Sequence, residues 1–339
     1  MVGVNPKEIG QIGAGKRNPT GRIDVAMIQS LVRRDSVDDL VAGYGQIIVD
    51  ECHHVPAVQF ERVMREVKAR YVVGLTATPQ RRDGHHPIIQ MQLGPVRFKV
   101  DAKAQASARP FEHRLVVRET AFRTSHPGEK QGIQDLYAAL ARDDARNTMI
   151  LNDVVQALEE GRSPILLTER KDHLEHLASR LERVTRHLVV LQGGMGAKAD
   201  RAVRAQLDAI PPYAERLLLA TGRYIGEGFD DARLDTLFLA LPVSWKGTLV
   251  QYTGRLHRLH PGKREVRIFD YVDREVPMLL RMFEKRLRGY RSIGYARGEA
   301  PLGYAEPRGE RLVEYDDDVL RVRDHEFATD WGEDVDAEP

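Results

Sequence analysis

The stretch "PILLTERKDHLEHLASRLERVTRHLVVL", Pro164 to Leu191, decides the fold class. "PILLT" is a short apolar run of the kind a strand buried on both faces carries. "KDHLEHLASRLER" then places Leu174, Leu177 and Leu181 on one helical face. "HLVVL" (187–191) is a second β-rich run. Strand, amphipathic helix and strand in succession are the grammar of an α/β protein with parallel sheets. The same alternation extends in both directions. Further strand candidates are "IDVAMI" (23–28), "QIIVD" (46–50), "YVVGLT" (71–76), "RLLLA" (216–220), "TLFLAL" (236–241) and "VRIFDY" (266–271). A second helix, "AKADRAVRAQLDAI", lines up Val203, Leu207 and Ile210.

The alternation breaks between about 100 and 135. There "AKAQASARP" and "TSHPGEKQG" are polar and carry Pro or Gly, with one possible strand, "HRLVVRE", between them. The expected organisation is a first domain over 1–105, a linker over 106–135, a second domain over 136–290 and an acidic tail over 291–339. A chain of 339 residues that is 42% hydrophobic can fill two cores. No fixed-period repeat points to a solenoid. No apolar run reaches the length of a membrane span, and "MVGVNPKEIG" lacks the features of a signal peptide. A single cysteine, Cys52, excludes an internal disulfide and a cysteine zinc cluster. The expectation is a cytoplasmic protein. Residues 299–339 hold 14 acids and 4 arginines, a net of −10, which leaves +11 on residues 1–298 out of the total of +1. A basic body suits a polyanionic partner, although arginine-rich surfaces also occur without one. The acidic end is expected to be a solvated tail.

Four short motifs carry chemistry. "QIIVDECHH" ends a strand in Asp50-Glu51. Carboxylates beyond a strand end can hold Mg²⁺ and orient a water, or they can be an exposed acidic loop. "VVGLTATPQRRDG" ends a strand in Thr76, Ala77 and Thr78, small enough for close strand ends or for an ordinary turn. "LLLATGRYIGEGFD" follows a strand with Gly222, Gly226 and Gly228, then Asp230. Glycines admit a phosphate or sugar to the backbone, or simply make a turn. "QYTGRLHRLHPGK" reads as a helix with Arg255 and Arg258 three apart on one face, fit to clamp a triphosphate or to be a solvated basic face. His53, His54, His85 and His86 fit an exposed loop better than a metal site.

In this order the four motifs resemble superfamily 2 helicases, closest to the branch with a DECH-type box that includes DNA-repair helicases and restriction-enzyme motor subunits. The resemblance runs from residue 1 to about 290. It implies two RecA-like parallel-sheet domains with ATP and Mg²⁺ between them, and a nucleic-acid partner, DNA rather than RNA. It gives Asp50 the Mg²⁺, through water, and Glu51 the attacking water. His53 and Thr76-Ala77-Thr78 couple nucleotide state to strand grip. Gly228 and Asp230 touch nucleotide and strand. Gln251, Arg255 and Arg258 form the second half of the ATP site, with Arg258 the arginine finger. "LQGGM" (191–195) resembles a strand-binding turn.

One stretch mimics the missing member of this set. "EIGQIGAGKRNPTGRID" (8–24) contains Gly10, Gly15 and Lys16 at P-loop spacing, but Arg17 stands where Ser or Thr would hold Mg²⁺. Pro19 and Gly21 oppose the helix a P-loop needs, so the stretch reads as a glycine-rich turn before the strand at 23. No other G-x-x-x-x-G-K-[ST] occurs in the chain. The expectation is therefore an incomplete first domain, an N-terminally shortened motor that begins after its P-loop. A non-catalytic nucleic-acid-binding remnant and one chain of a split motor are the alternatives. A P-loop segment is the implied partner of the last.

Overall fold

The computed structural model describes residues 4–33, 36–52, 57–76, 86–124, 132–226, 229–243 and 246–298. The acidic tail expected over 291–339 lies mostly outside them. In chain order the first half contains strands β1 (Ile9–Gly13), β2 (Lys16–Asn18), β3 (Ile23–Ala26), β4 (Val32–Arg33), β5 (Ser36–Val37) and β6 (Gln46–Val49). Helix α1 (Ala57–Glu66), strand β7 (Tyr71–Gly74) and helices α2 (His86–Leu93) and α3 (Ala102–Ser107) complete it. The second half runs β8 (Glu112–Glu119), α4 (Ile133–Arg142), α5 (Asp144–Glu159), β9 (Pro164–Thr168), α6 (Lys171–Leu181), β10 (Leu188–Leu191), α7 (Ala197–Ala209) and β11 (Leu217–Thr221). It ends with α8 (Gly222–Gly226), β12 (Thr236–Leu239), α9 (Lys246–Leu256), β13 (Glu265–Val272), α10 (Pro277–Ser292) and β14 (Ala296–Arg297).

All eight strand candidates read from the sequence are strands. In the second half they form a sheet of order β10-β11-β9-β12-β13-β8-β14 with every pairing parallel. β9, β11 and β12 are buried at every residue, which is why their sequences are continuous apolar runs. Phe238 and Phe269 face each other across β12 and β13 with ring centroids 4.5 Å apart. Leu174, Leu177 and Leu181 of α6 are buried, as their spacing requires. Val203, Leu207 and Ile210 are only half-buried, because α7 lies against β10 at the sheet edge.

The possible strand in the polar stretch between the halves is β8, an interior strand that pairs with β13 over eight residues, Glu112↔Glu265 to Glu119↔Val272. Its polar residues are neutralised inside. Arg118 donates to both oxygens of Asp153 at 2.9 and 3.0 Å, and Tyr271 donates to the same carboxylate at 3.0 Å.

The first half is thinner. β6 and β7 form a two-stranded parallel pair, and β1 lies between β2 and β3 in a separate small sheet. Parallel strands are ordinarily covered on both faces. Here Ile48, Tyr71, Val73 and Leu75, on alternate positions, are exposed. One reading of the glycine-rich stretch needs correction. The sequence reading had no strand before 23, yet "IGQIG" is β1. Two glycines hide it from propensity, and one is required. A Cβ on Gly10 would lie 2.6 Å from the Asn18 carbonyl and 2.8 Å from the Thr20 nitrogen, and would collide with Asp24. Lys16 itself opens β2, across a two-residue hairpin turn in which Ala14 and Gly15 both have positive φ (49° and 78°). A strand, not a helix, follows Lys16.

Candidate functional site

The first cluster stands at the carboxyl ends of β6 and β7. The strands are in register to Val49↔Gly74. The pairing continues past them, with Leu75 N donating to Val49 O at 2.8 Å and Cys52 N to Leu75 O at 3.1 Å. This brings Asp50-Glu51 and Thr76 to neighbouring strand ends. Close approach is enforced at Gly74, where a Cβ would meet Leu93 Cδ1 at 2.6 Å. Asp50 is exposed and accepts the Glu51 N–H at 2.9 Å. Glu51 has φ of 45°, the left-handed region, which costs a non-glycine residue about 1 kcal/mol or more. That conformation turns the chain sharply at the strand end. Cys52 is buried between the strand ends. Burial raises its thiol pKa, and the charges of Glu51 and Asp50 raise it further, so it is no nucleophile. His53, Ala77 and Thr78 lie outside the described residues.

The second cluster runs along α9, from the carboxyl ends of β9 and β11, which Tyr252 reaches, to the amino ends of β12 and β13, near which Arg258 lies. Arg258 Nε donates to Asp230 Oδ1 at 3.0 Å, bringing two of the sequence-selected residues together. Both are about half exposed, so the pair is worth about 0–1 kcal/mol and Arg258 can exchange Asp230 for another anion. Gln251 and Arg255 are one turn apart on α9, both half-buried, and Arg255 Nε has no hydrogen-bond partner. The expected shared helical face of Arg255 and Arg258 does not form, because α9 ends at Leu256. Pro261 opposes continuation, and Lys263 takes up the carbonyls left over. Its ammonium donates to Leu234 O, Leu256 O and Arg258 O at 2.7, 2.9 and 2.8 Å. Burial lowers its pKa to about 8. Lys263 therefore fixes the turn that carries Arg258. Gly228 lies outside the described residues.

Two further residues belong here that no motif flagged. Glu169 directly follows β9 and accepts from the Tyr252 hydroxyl at 3.1 Å. Glu169 is exposed, yet desolvation by the protein around its carboxylate raises its pKa, against the bond from Tyr252. Gly222 is the third member. A Cβ there would lie 2.9 Å from Tyr252 Cζ and would overlap both the tyrosine hydroxyl and Glu169 Oε1. The signal in the sequence was the Gly222 of the glycine-rich turn, without its partners. "LQGGM" forms the turn between β10 and α7, where Gly193 N donates to Thr221 Oγ1 at 2.9 Å. With Asp200, Arg204, Tyr224 and Phe229 it lines a cavity of about 330 Å³.

An α/β scaffold with acids at the ends of one pair of parallel strands, and arginines, an amide and a glycine turn along one helix of a larger parallel sheet, is of the RecA-like kind. Comparison with known proteins narrows this. The family "Type III restriction enzyme, res subunit" matches residues 2–81. "Probable helicase D10" of Escherichia phage T5 is 27% identical over 294 residues, 85% of this chain and 61% of that protein. "Putative ATP-dependent RNA helicase L396" of Acanthamoeba polyphaga mimivirus is 24% identical over 277 residues, 79% of this chain and 51% of its own. The chain thus spans about half to three-fifths of the length of these relatives. In fold it is similar to the fragment of a "putative HsdR subunit" of a type I restriction enzyme from Vibrio vulnificus YJ016, with a TM-score of 0.59 and 17% identity over 87% of this chain and 54% of that one. Over most of its length the chain is similar in sequence to proteins named as helicases, and the large parallel sheet is RecA-like. No helix among the described residues is long and apolar enough to cross a membrane.

Proposed function

We propose that the chain works in an ATP-dependent helicase or translocase of superfamily 2 that acts on DNA. The observation that carries the reading is the pairing of strand ends. Asp50-Glu51 and Thr76 meet at the strand ends of one sheet, while on the other sheet Asp230 pairs with Arg258 just past the end of α9, the helix that carries Gln251 and Arg255. The resemblance of the four motifs supports a nucleotide between two domains. The first would span 1–105 and the second would start with β8.

In this reading Asp50, exposed and with its carboxylate only partly engaged, suits a hard cation such as Mg²⁺ held through water. Bound there, the ion would neutralise phosphate charge. Glu51 orients the attacking water and takes its proton. Arg258 leaves Asp230 for the phosphates, and Arg255 supplies a second guanidinium from the turn of helix before it. Gln251, Gly228 and Asp230 hold nucleotide and strand, and His53 with Thr76 to Thr78 passes nucleotide state to the nucleic acid. Lys16, in its hairpin, has no part in phosphate binding. The phosphate cradle comes from a P-loop segment that these 339 residues do not contain.

The test is reconstitution. A P-loop segment is supplied in trans or fused ahead of Met1, and ATP hydrolysis is followed with single-stranded DNA, duplex DNA or RNA. Hydrolysis stimulated most by DNA is expected. Glu51→Gln should abolish turnover while ATP binding remains, and Arg258→Ala should cost about 10³-fold in rate. Hydrolysis indifferent to both substitutions would overturn the assignment. RNA as the better stimulant would overturn the choice of DNA.

A further inference from the structure

Helix α10 has two faces of opposite character. Inward, Leu279, Phe283, Leu287 and Tyr290 are buried, and the one inward arginine, Arg286, is neutralised by both oxygens of Asp270 at 2.7 and 2.8 Å. Outward, Arg281, Lys285, Arg288 and Arg291 are exposed at steps of four, three and three residues. That spacing keeps them on one side of the helix, over about 15 Å of its axis. Glu284, half-buried, is the only acid in the helix. Arg281 and Arg288 make no ion pair among the described residues.

The helix dipole rewards a cation in the last turn, which covers Arg291, but it gives no reason for Arg281 three turns earlier. An ordinary solvated helix alternates its charges so that neighbours three and four apart attract. This one stacks like charges at those spacings, and an anion along them would offset the repulsion at Arg281 and Arg288. No apolar side chain interrupts the array, and a protein-binding face would present an aromatic or aliphatic anchor. Interfaces with nucleic acid are polar and strongly positive. The support is rigid too. Gly289 allows α10 to ride directly on α9, where a Cβ would come within 2.9 Å of Leu249 Cδ2. α9 carries Gln251 and Arg255, so the array is tied mechanically to the candidate nucleotide residues.

We propose that the outer face of α10 binds the phosphodiester backbone of nucleic acid, as a surface separate from the strand-end residues. It rests on the nucleic-acid reading above. Arg281, Lys285, Arg288 and Arg291 each meet a phosphate, and the contact is independent of base sequence because no group reaches a base edge.

The full chain is compared with R281E/R288E, with the milder R281Q/R288Q, and with a control of equal charge change on another surface, K171E/R183E. Lys171 opens α6 and Arg183 lies in the turn after it, and both are exposed. Fluorescence anisotropy with a single-stranded and a duplex oligonucleotide is read from about 50 to 200 mM salt. Loss of two phosphate contacts should make the slope of log K against log salt shallower by about 1.4 for the single strand or 1.8 for the duplex. Affinity at low salt should fall tenfold or more, with R281Q/R288Q in the same direction. The control should keep its slope. Unfolding by urea checks that every variant is folded. If the wild-type chain binds oligonucleotide and the α10 variants match the control, the α10 surface is wrong and the broader reading stands. If the wild-type chain binds no oligonucleotide at low salt, the broader reading falls and takes this one with it. Binding of polyglutamate alone, lost in the α10 variants, would assign the face to an acidic protein instead.

Discussion

Gly222→Ala tests the second cluster most directly. The new Cβ would sit 2.9 Å from Tyr252 Cζ and overlap the hydroxyl and Glu169 Oε1, so the Tyr252–Glu169 hydrogen bond cannot survive in place. Losing a bond to a charged acceptor costs about 1.5–3 kcal/mol. Pushing a buried ring aside costs about 1–3 kcal/mol more. Replacing glycine in a helical turn returns about 1 kcal/mol. The net expectation is a loss of about 1.5–5 kcal/mol, read as a lower urea midpoint by circular dichroism. Tyr252→Phe removes the same hydroxyl. The double variant should then be more stable than the sum of the single losses predicts, by about 1–2 kcal/mol. Tyr252 neighbours Gln251 on α9, so the glycine substitution should also lower nucleotide-dependent activity in the reconstituted system. A Gly222→Ala protein within 0.5 kcal/mol of the parent, or strict additivity with Tyr252→Phe, would refute the reasoning.

Other outcomes follow from the same coordinates. Ala14→Gly should stabilise the β1–β2 hairpin by up to about 1 kcal/mol, since Ala14 holds a positive φ that glycine adopts without strain; thermal unfolding reads this. Arg286→Leu should cost about 3–5 kcal/mol by leaving Asp270 charged and buried, and a second change, Asp270→Asn, should recover part of it in the same urea assay. Acid should destabilise the second half through His173. Its Nε2 donates to Asn147 Oδ1 at 2.9 Å and its Nδ1 accepts from Thr168 at 3.0 Å, a neutral ring. Burial, helped by Arg146, holds its pKa near 3. The unfolded chain takes up a proton below about 6.5 that the folded chain refuses, so this contribution is intact above that pH and shrinks as pH falls. About 2 kcal/mol should be lost between pH 7.5 and 5, and His173→Gln should flatten the dependence.

The second half was legible because burial on both faces leaves unmistakable apolar runs at β9, β11 and β12. Charge on β8 blurred its outline: Arg114 and Arg118 look like surface residues until Asp153 is seen beneath Arg118. β1 was invisible for a different reason, since Gly10 is there to make room for Asp24 and contributes nothing to strand propensity. The end of α9 was misjudged because the residue that holds it, Lys263, acts from beyond the helix on the carbonyls of Leu256 and Arg258. Asp230 and Arg258 were legible as separate motifs, but spacing alone says nothing of the contact between them. Glu169 and Tyr252 could not be read at all, because their meaning lies in a hydroxyl and a carboxylate that converge from residues 83 apart.

The pairing of β8 with β13 and β14 sets an order of events during synthesis. Thr120, at the end of β8, bonds to Asp273, 153 residues later. Translation adds about 5–20 residues per second, so β8 emerges roughly 8–30 s before its first neighbour exists. Through that interval Leu115 and Val116 have no sheet to enter and Arg118 waits beside its acid without the strand that encloses it. The central strands β9, β11 and β12 can assemble meanwhile, and the sheet closes only when the last third of the chain arrives. A pause in translation between residues 120 and 265 would lengthen the exposure, and that window is where a chaperone that binds extended apolar segments would find this protein.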